Sequence, residues 1–196
     1  MTVVLDYGIN NLRSVQRAIE TLGTECSVQK DLRGATKLIL PGVGAFAKAM
    51  ERLEPLADDI RQFASDGHPV LGICLGQQLL FESSEEFGSH EGLGLVPGRV
   101  VYFGKEINLK VPHIGWSPVD FFEGATLGSG VNHGDRVYFV HSLYVKCANP
   151  SDVAATTTYG VRFAASIQRG NVYGTQFHPE KSGTVGLQIL RNFLEC

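Results

Sequence analysis

The sequence predicts an α/β fold: a mostly parallel central sheet with helices on both faces, and an antiparallel or mixed extension toward the C-terminus. Three observations predict it. Short apolar runs alternate with helix-spaced segments through the first half. Two of those runs break into glycine-containing turns, at Pro41-Gly42-Val43-Gly44 and at Gly72-Ile73-Cys74-Leu75-Gly76, as strands do at the carboxyl edge of a parallel sheet. After Gly92, short strands separated by turn residues replace the alternation.

Taken in order, residues 3–6 form the first strand. Residues 11–22 carry apolar side chains at helical spacing (Leu12, Val15, Ala18, Ile19, Leu22) and stop at Gly23, a normal helix end. Strands follow at 26–29 and 37–40. A helical stretch over 46–64 is interrupted near Pro55, because proline removes a backbone donor. The next strand covers 69–74, and a helix runs from there to about residue 82. The second half reads as strands at 99–103, 119–122, 137–145, 153–157, 163–168 and 172–177. A closing helix over 185–194 buries Val185, Ile189, Leu190, Phe193 and Leu194 on one face. There is no internal repeat, low-complexity tract or linker, so the expectation is one domain over residues 1–196.

Composition narrows the class. The chain is 43% hydrophobic and 19% charged, ordinary for a globular protein. Its formal net charge is −3, with no basic tract, which argues against nucleic acid or an anionic membrane as partner. No apolar run approaches the ~20 residues of a membrane span. The N-terminus reads as a short strand and not as a signal peptide. The four cysteines, Cys26, Cys74, Cys147 and Cys196, show no short paired spacing, so no metal cluster is expected. Reduced thiols and a cytoplasmic location follow from the lack of a secretory signal. Cys26 and Cys147 read as small apolar fillers and Cys196 as incidental.

The chemistry is carried by Cys74, held between Gly72 and Gly76 after an apolar strand and before a helix-like segment. That is the pattern of a nucleophile elbow, a sharp turn that lifts one side chain out of the sheet. The glycines let backbone crowd where a Cβ would clash. Taken alone, the motif reads equally as a buried core thiol beside a tight turn. His178-Pro179-Glu180 supplies the other half. On a strand, residues i and i+2 face one way, so Glu180 can orient His178, and His178 can hold Cys74 as a thiolate. The 41–44 turn can aim a backbone N–H at a developing oxyanion, or it is an ordinary strand end.

These residues resemble the class I glutamine amidotransferases over essentially the whole chain, and that fold is what the resemblance implies. More narrowly they resemble the glutaminase subunits of imidazole glycerol phosphate synthase, from histidine biosynthesis. Four segments carry the narrower likeness: Asp6-Tyr7-Gly8 with Asn11-Leu12, Pro41-Gly42-Val43-Gly44, Pro112-His113-Ile114-Gly115-Trp116, and His178-Pro179-Glu180-Lys181-Ser182-Gly183. The chain departs from the family at Asn10, often Gly, and at Gln77, usually Met.

The resemblance implies a role for each residue. Cys74 attacks the side-chain amide of glutamine, His178 moves the proton, and Glu180 fixes the imidazole tautomer. The N–H of Leu75 and one near Val43 form the oxyanion hole. Gly44, Gln78, Glu86 and the backbone of His141-Ser142-Leu143 meet the substrate. Trp116 and Lys181 dock a (β/α)₈-barrel cyclase partner that receives the ammonia. No metal or other cofactor is implied. By residue type alone, Gln78 reads as an exposed helix residue and Glu86 as part of a solvated charge run. His141 likewise reads as a core histidine and Trp116 as a core filler. Three alternatives stand beside this reading: the glutaminase subunit of another amidotransferase such as pyridoxal phosphate synthase, a stand-alone cysteine peptidase, and a non-catalytic module with a relic elbow.

Overall fold

The computed structural model of the chain describes residues 1–8, 11–104 and 107–196. The first half runs β1 (Thr2–Leu5), α1 (Leu12–Thr21), β2 (Cys26–Gln29), β3 (Lys37–Gly42), α2 (Phe46–Leu53), α3 (Ala57–Ser65), β4 (Val70–Cys74) and α4 (Leu75–Leu79). Between α2 and α3 lies a single 3-10 turn, Glu54–Leu56, where Pro55 breaks the α-helical ladder. The second half runs β5 (Phe81–Ser84), β6 (His90–Glu91), β7 (Val96–Tyr102), β8 (His113–Pro118), β9 (Asp120–Phe121), β10 (Arg136–His141), β11 (Leu143–Cys147), β12 (Val153–Tyr159), β13 (Val161–Arg169), β14 (Val172–Thr175) and α5 (Gly183–Leu194).

The main sheet has eight strands in the order β2-β1-β3-β4-β14-β13-β12-β9. It is parallel from β2 to β14 and antiparallel from there to β9. The fifth parallel strand therefore comes from the far end of the chain, and it brings the segment after Thr175 beside the ends of β3 and β4. A two-stranded ribbon pairs β8 with β10, and a four-stranded sheet orders β11-β7-β5-β6.

Alternation along the central strands divides the core. Val3, Leu5, Leu38 and Leu40 pack with Phe46, Leu53 and Ile60 of α2 and α3. Val4, Ile39, Leu71 and Ile73 pack on the other face with Val15 and Ile19 of α1 and Ile189 and Phe193 of α5. Helices thus cover both faces, as a parallel sheet with two apolar faces requires.

Four expectations change. The helix expected to reach residue 82 ends at Leu79, and Phe81–Ser84 is a strand. The carbonyls of Leu79 and Leu80 accept the N–H groups of Leu93 and Leu95 instead of continuing the helix. The strand expected over 137–145 is two strands in different sheets, with the crossing at Ser142. The third strand extends two residues past 40, so Pro41 and Gly42 pair with Ile73 and Cys74, and only Val43 and Gly44 remain as turn. Strand β8 was not foreseen. Its apolar residues Ile114 and Trp116 lie on its exposed side, at 60% and 50% exposure, and a glycine sits between them.

Candidate active site

Cys74 is the last residue of β4 and the cap of α4, with φ 56° and ψ −110°. A non-glycine residue held at positive φ costs about 1–3 kcal/mol and persists only where its surroundings enforce it. Here two glycines let the surroundings close in. A Cβ at Gly72 would lie 2.5 Å from the Gly76 carbonyl oxygen, and one at Gly76 would collide with the Leu40 carbonyl oxygen. The elbow is folded so tightly that α4 starts directly over β3 and β4.

His178 is fully buried. The expected strand geometry does not place it. β14 ends at Thr175, and His178 leads into a single 3-10 turn, Pro179–Lys181, which brings Glu180 back under the ring. The His178 N–H donates to the Tyr138 carbonyl at 2.9 Å, and the Ser182 hydroxyl donates to the His178 carbonyl at 2.6 Å. Nδ1 of His178 lies 2.8 Å from Oε1 of Glu180. Because a carboxylate only accepts, Nδ1 carries the proton. Nε2 is buried and without a hydrogen-bond partner among the described residues, and it is the nitrogen left for the thiol. Burial alone lowers the imidazole pKa. The proximity of Cys74 and then Glu180 outweighs burial and raises it to about 9. Burial likewise disfavours the Glu180 carboxylate, but His178 and then Asn11 hold its pKa below the usual value.

Two members of this assembly were missed from the sequence as site residues. Asn11 donates Nδ2–H to Oε1 of Glu180 at 2.6 Å. It holds a left-handed conformation, φ 84°, at the start of α1. Gln176, fully buried, points Nε2 at the Cys74 sulfur at 3.8 Å. The pattern offered one clue to each: an Asn heading a helix, and a polar residue two positions before His178. Asn10, where the chain departs from the family, lies outside the described residues. Gln77, the other departure, is fully buried with neither amide atom partnered among the described residues.

In front of Cys74 opens a cavity of about 320 Å³ lined by Val43, Gly44, Leu75, Gln78, Glu86, His141, Ser142 and Leu143, with Pro112 and Val140. The structure therefore brings together every residue expected to form the oxyanion hole or meet the substrate. Gln78 is 5% exposed, not a surface residue. Its Nε2 donates to the Leu143 carbonyl at 3.2 Å and to Oε1 of Gln176 at 3.0 Å. Glu86 stands on a turn after β5, and its carboxylate accepts the Phe46 N–H at the start of α2. A larger cavity, about 480 Å³ between Phe122 and Gly170, contains no thiol or imidazole. Among the described residues, no cluster of three His, Cys, Asp or Glu side chains is placed to hold a metal.

Trp116 is half exposed, so it is not a core filler. It faces Tyr138 across the β8–β10 ribbon, ring centroids 6.1 Å apart. Lys181 is exposed on the turn that carries Glu180. Among the described residues, no helix is long and apolar enough to cross a membrane.

The family profile described as glutamine amidotransferase class-I matches residues 3–196. The chain belongs to the class-I glutamine amidotransferase family. Among curated members of that family, it is 49% identical to the imidazole glycerol phosphate synthase subunit HisH of Syntrophotalea carbinolica over 98% of both chains. It is 48% identical to HisH of Methanosarcina barkeri over 98% of this chain and 97% of that one. Against HisH of Chlorobium luteolum it is 44% identical over the full length of both. Among solved structures, one titled glutamine amidotransferase superposes with a TM-score of 0.77 at 21% identity, covering 99% of this chain and 97% of that one. PurLQS from Thermotoga maritima superposes at 0.76, also at 21% identity, over 99% and 96%. These two establish the shared fold.

Proposed function

We infer that the chain is the glutamine-hydrolysing subunit of an imidazole glycerol phosphate synthase, serving histidine biosynthesis. One observation carries the catalytic reading: Cys74, on a strained elbow at the floor of a cavity, backed by a buried imidazole whose other nitrogen is fixed by a carboxylate. Full-length similarity to HisH subunits supports the assignment to this synthase over a pyridoxal phosphate-linked glutaminase or a cysteine peptidase.

The chemistry follows from the arrangement. The Cys74 thiolate adds to the side-chain carbonyl carbon of glutamine. Negative charge develops on the carbonyl oxygen, where the N–H of Leu75 and one from the Val43–Gly44 turn donate to it. The His178 imidazolium gives its Nε2 proton to the departing nitrogen, and ammonia leaves as the γ-glutamyl thioester forms. His178, now neutral, takes a proton from water, whose oxygen attacks the thioester and releases glutamate and Cys74. Glu180 keeps Nδ1 protonated, so Nε2 is always the working nitrogen. Gln78, Glu86 and the 141–143 backbone hold the amino-acid end of the substrate.

Ammonia released into water becomes ammonium and loses its lone pair, so the product has to pass to a second active site without meeting solvent. HisH is a subunit of a synthase in the relatives. We place this chain's partner, a (β/α)₈-barrel cyclase, against the face carrying Trp116 and Lys181, in the cytoplasm. Tryptophan is a favoured anchor of such interfaces. The test is glutamate formation from glutamine, together with trapping by a γ-electrophilic glutamine analogue. Cys74 alone of the four cysteines should be labelled. Peptide turnover in place of glutamine turnover, or stoichiometric labelling of Cys26, Cys147 or Cys196, contradicts the reading.

A further inference from the structure

Two buried histidines outside the triad lie in hydrogen-bond contact. Nδ1 of His113 is 3.0 Å from Nε2 of His141, Nε2 of His113 is 2.8 Å from the Ser117 hydroxyl, and Nδ1 of His141 is 2.7 Å from the Leu143 carbonyl oxygen. The direction of every proton is fixed by the last contact. A carbonyl only accepts, so Nδ1 of His141 donates. Burial holds both imidazoles neutral, with pKa values lowered to about 3 for His141 and about 4 for His113. A neutral ring donates once, so Nε2 of His141 accepts from Nδ1 of His113. Nε2 of His113 then accepts from the Ser117 O–H. The result is a one-way chain from Ser117 through both rings to the Leu143 carbonyl.

The chain connects two places that matter. Leu143 lines the cavity in front of Cys74, and its carbonyl also receives Gln78, which in turn reaches Gln176 and the thiol. Ser117 sits on β8 beside the exposed Trp116. The His113 ring is sandwiched between Tyr159, centroids 4.0 Å apart, and Phe139, at 4.8 Å, so it is held flat with its two nitrogens aimed along the chain.

We propose that His113 is a positioning residue of the glutaminase site: by donating to His141 it sets that ring's tautomer and pins the 141–143 backbone that receives the amino-acid end of the substrate. This rests on the glutaminase reading above, and Ser117 is the outer end of the same chain, on the exposed ribbon. The bland alternative is that His113 is only an aromatic filler.

Two substitutions in the full chain separate the roles. His113→Phe keeps the stacking surface and removes the donor. His113→Asn keeps a donor at the Nδ1 position and loses most of the stacking. The probe is the γ-electrophilic glutamine analogue, which must occupy the cavity, compared with iodoacetamide, which reaches the Cys74 thiol without it. The expected result for His113→Phe is a half-saturation concentration raised about tenfold, the effect of one buried hydrogen bond, with the iodoacetamide rate nearly unchanged. His113→Asn should recover most of that loss. An unchanged half-saturation in His113→Phe, or a larger defect in His113→Asn than in His113→Phe, overturns the proposal.

If His113→Phe does not fold, Ser117→Ala carries the test: it should raise the half-saturation concentration several-fold, and no change counts against the chain. Nitrogen-15 NMR of the isotopically enriched wild type, free of the analogue, reads the relay without any substrate. Both rings should be Nδ1–H tautomers, and an Nε2–H form of either ring refutes it. Should the glutaminase reading itself be wrong, the wild type would show no saturable labelling by the analogue while the tautomers stayed as stated, so the two failures look different.

Discussion

At the residue scale, the site is a set of buried groups that fix one another's protons. His178 is held as a cation by the Cys74 sulfur and Glu180, and Glu180 is held as an anion by His178 and Asn11. A raised imidazole pKa has a definite sign. The unfolded value is about 6.5, so the stabilisation of the ion pair is fully present below that pH and lost as pH rises through about 9. The same proton is the one given to departing ammonia, so glutamine turnover should fall on an alkaline limb near pH 9. Glu180→Gln removes one of the two groups that raise the pKa, and the limb should move down toward the ordinary histidine value. An alkaline limb near 6.5 in the wild type would mean that His178 is not held in this way. His178→Asn should cost nearly the whole rate and Glu180→Gln less, because only the first residue carries the proton. A worse effect at Glu180 would reverse the assigned roles.

At the scale of elements, the elbow was legible in the sequence because it is made of residue types with few other uses. Glycine at 72 and 76 is demanded by close backbone contact; the cysteine between them reads equally as a core thiol until His178-Pro179-Glu180 is set beside it. His178 and Glu180 were legible as a pair, yet the expected reason, alternation on a strand, was not the observed one. Proline at 179 turns the chain before a strand could form there. The break between β10 and β11 was invisible because apolar residues flank it on both sides: Phe139 and Leu143 are both buried, in different sheets. Gln78 and Gln176 could not be told from surface amides by type, since only the assembled sheet shows that they face each other. Gln77 gives a stability test at this scale. It is fully buried, its amide has no partner among the described residues, and an unpaired buried polar group costs about 1–3 kcal/mol. Gln77→Met should therefore raise the unfolding midpoint without altering turnover. A lowered midpoint would show that the amide is satisfied in solution.

At the scale of the whole molecule, the ends of β3, β4 and β14 meet at one edge of the main sheet, and the β8–β10 ribbon closes over them through Tyr138, whose carbonyl accepts the His178 N–H. A surface that touches Trp116 therefore lies one ring contact, to Tyr138, and one hydrogen bond, from His178 to the Tyr138 carbonyl, away from the triad. This placement suits a glutaminase that idles until its partner docks, since a lone subunit would waste glutamine. The piece with room to reorient is the Val43–Gly44 turn. Gly44 has φ 114° and open space around it, whereas Gly42 is clamped against Gly76 and Leu75. Turnover should be low in the free chain and rise in the complex, as population shift toward a competent oxyanion hole requires. Gly44→Val should blunt that rise by about 10²-fold, the order of one oxyanion donor. Gly42→Val is the less useful variant because it disturbs the elbow itself. A free chain already as fast as the complex would exclude this control and leave the triad standing. The most direct test of the central claim uses Cys74→Ala in the assembled complex, assayed with glutamine and separately with ammonia. The account predicts complete loss of the glutamine-dependent synthase reaction and an intact ammonia-dependent one. Retained glutamine-dependent synthesis, or loss of both reactions in a complex that still assembles, would contradict it.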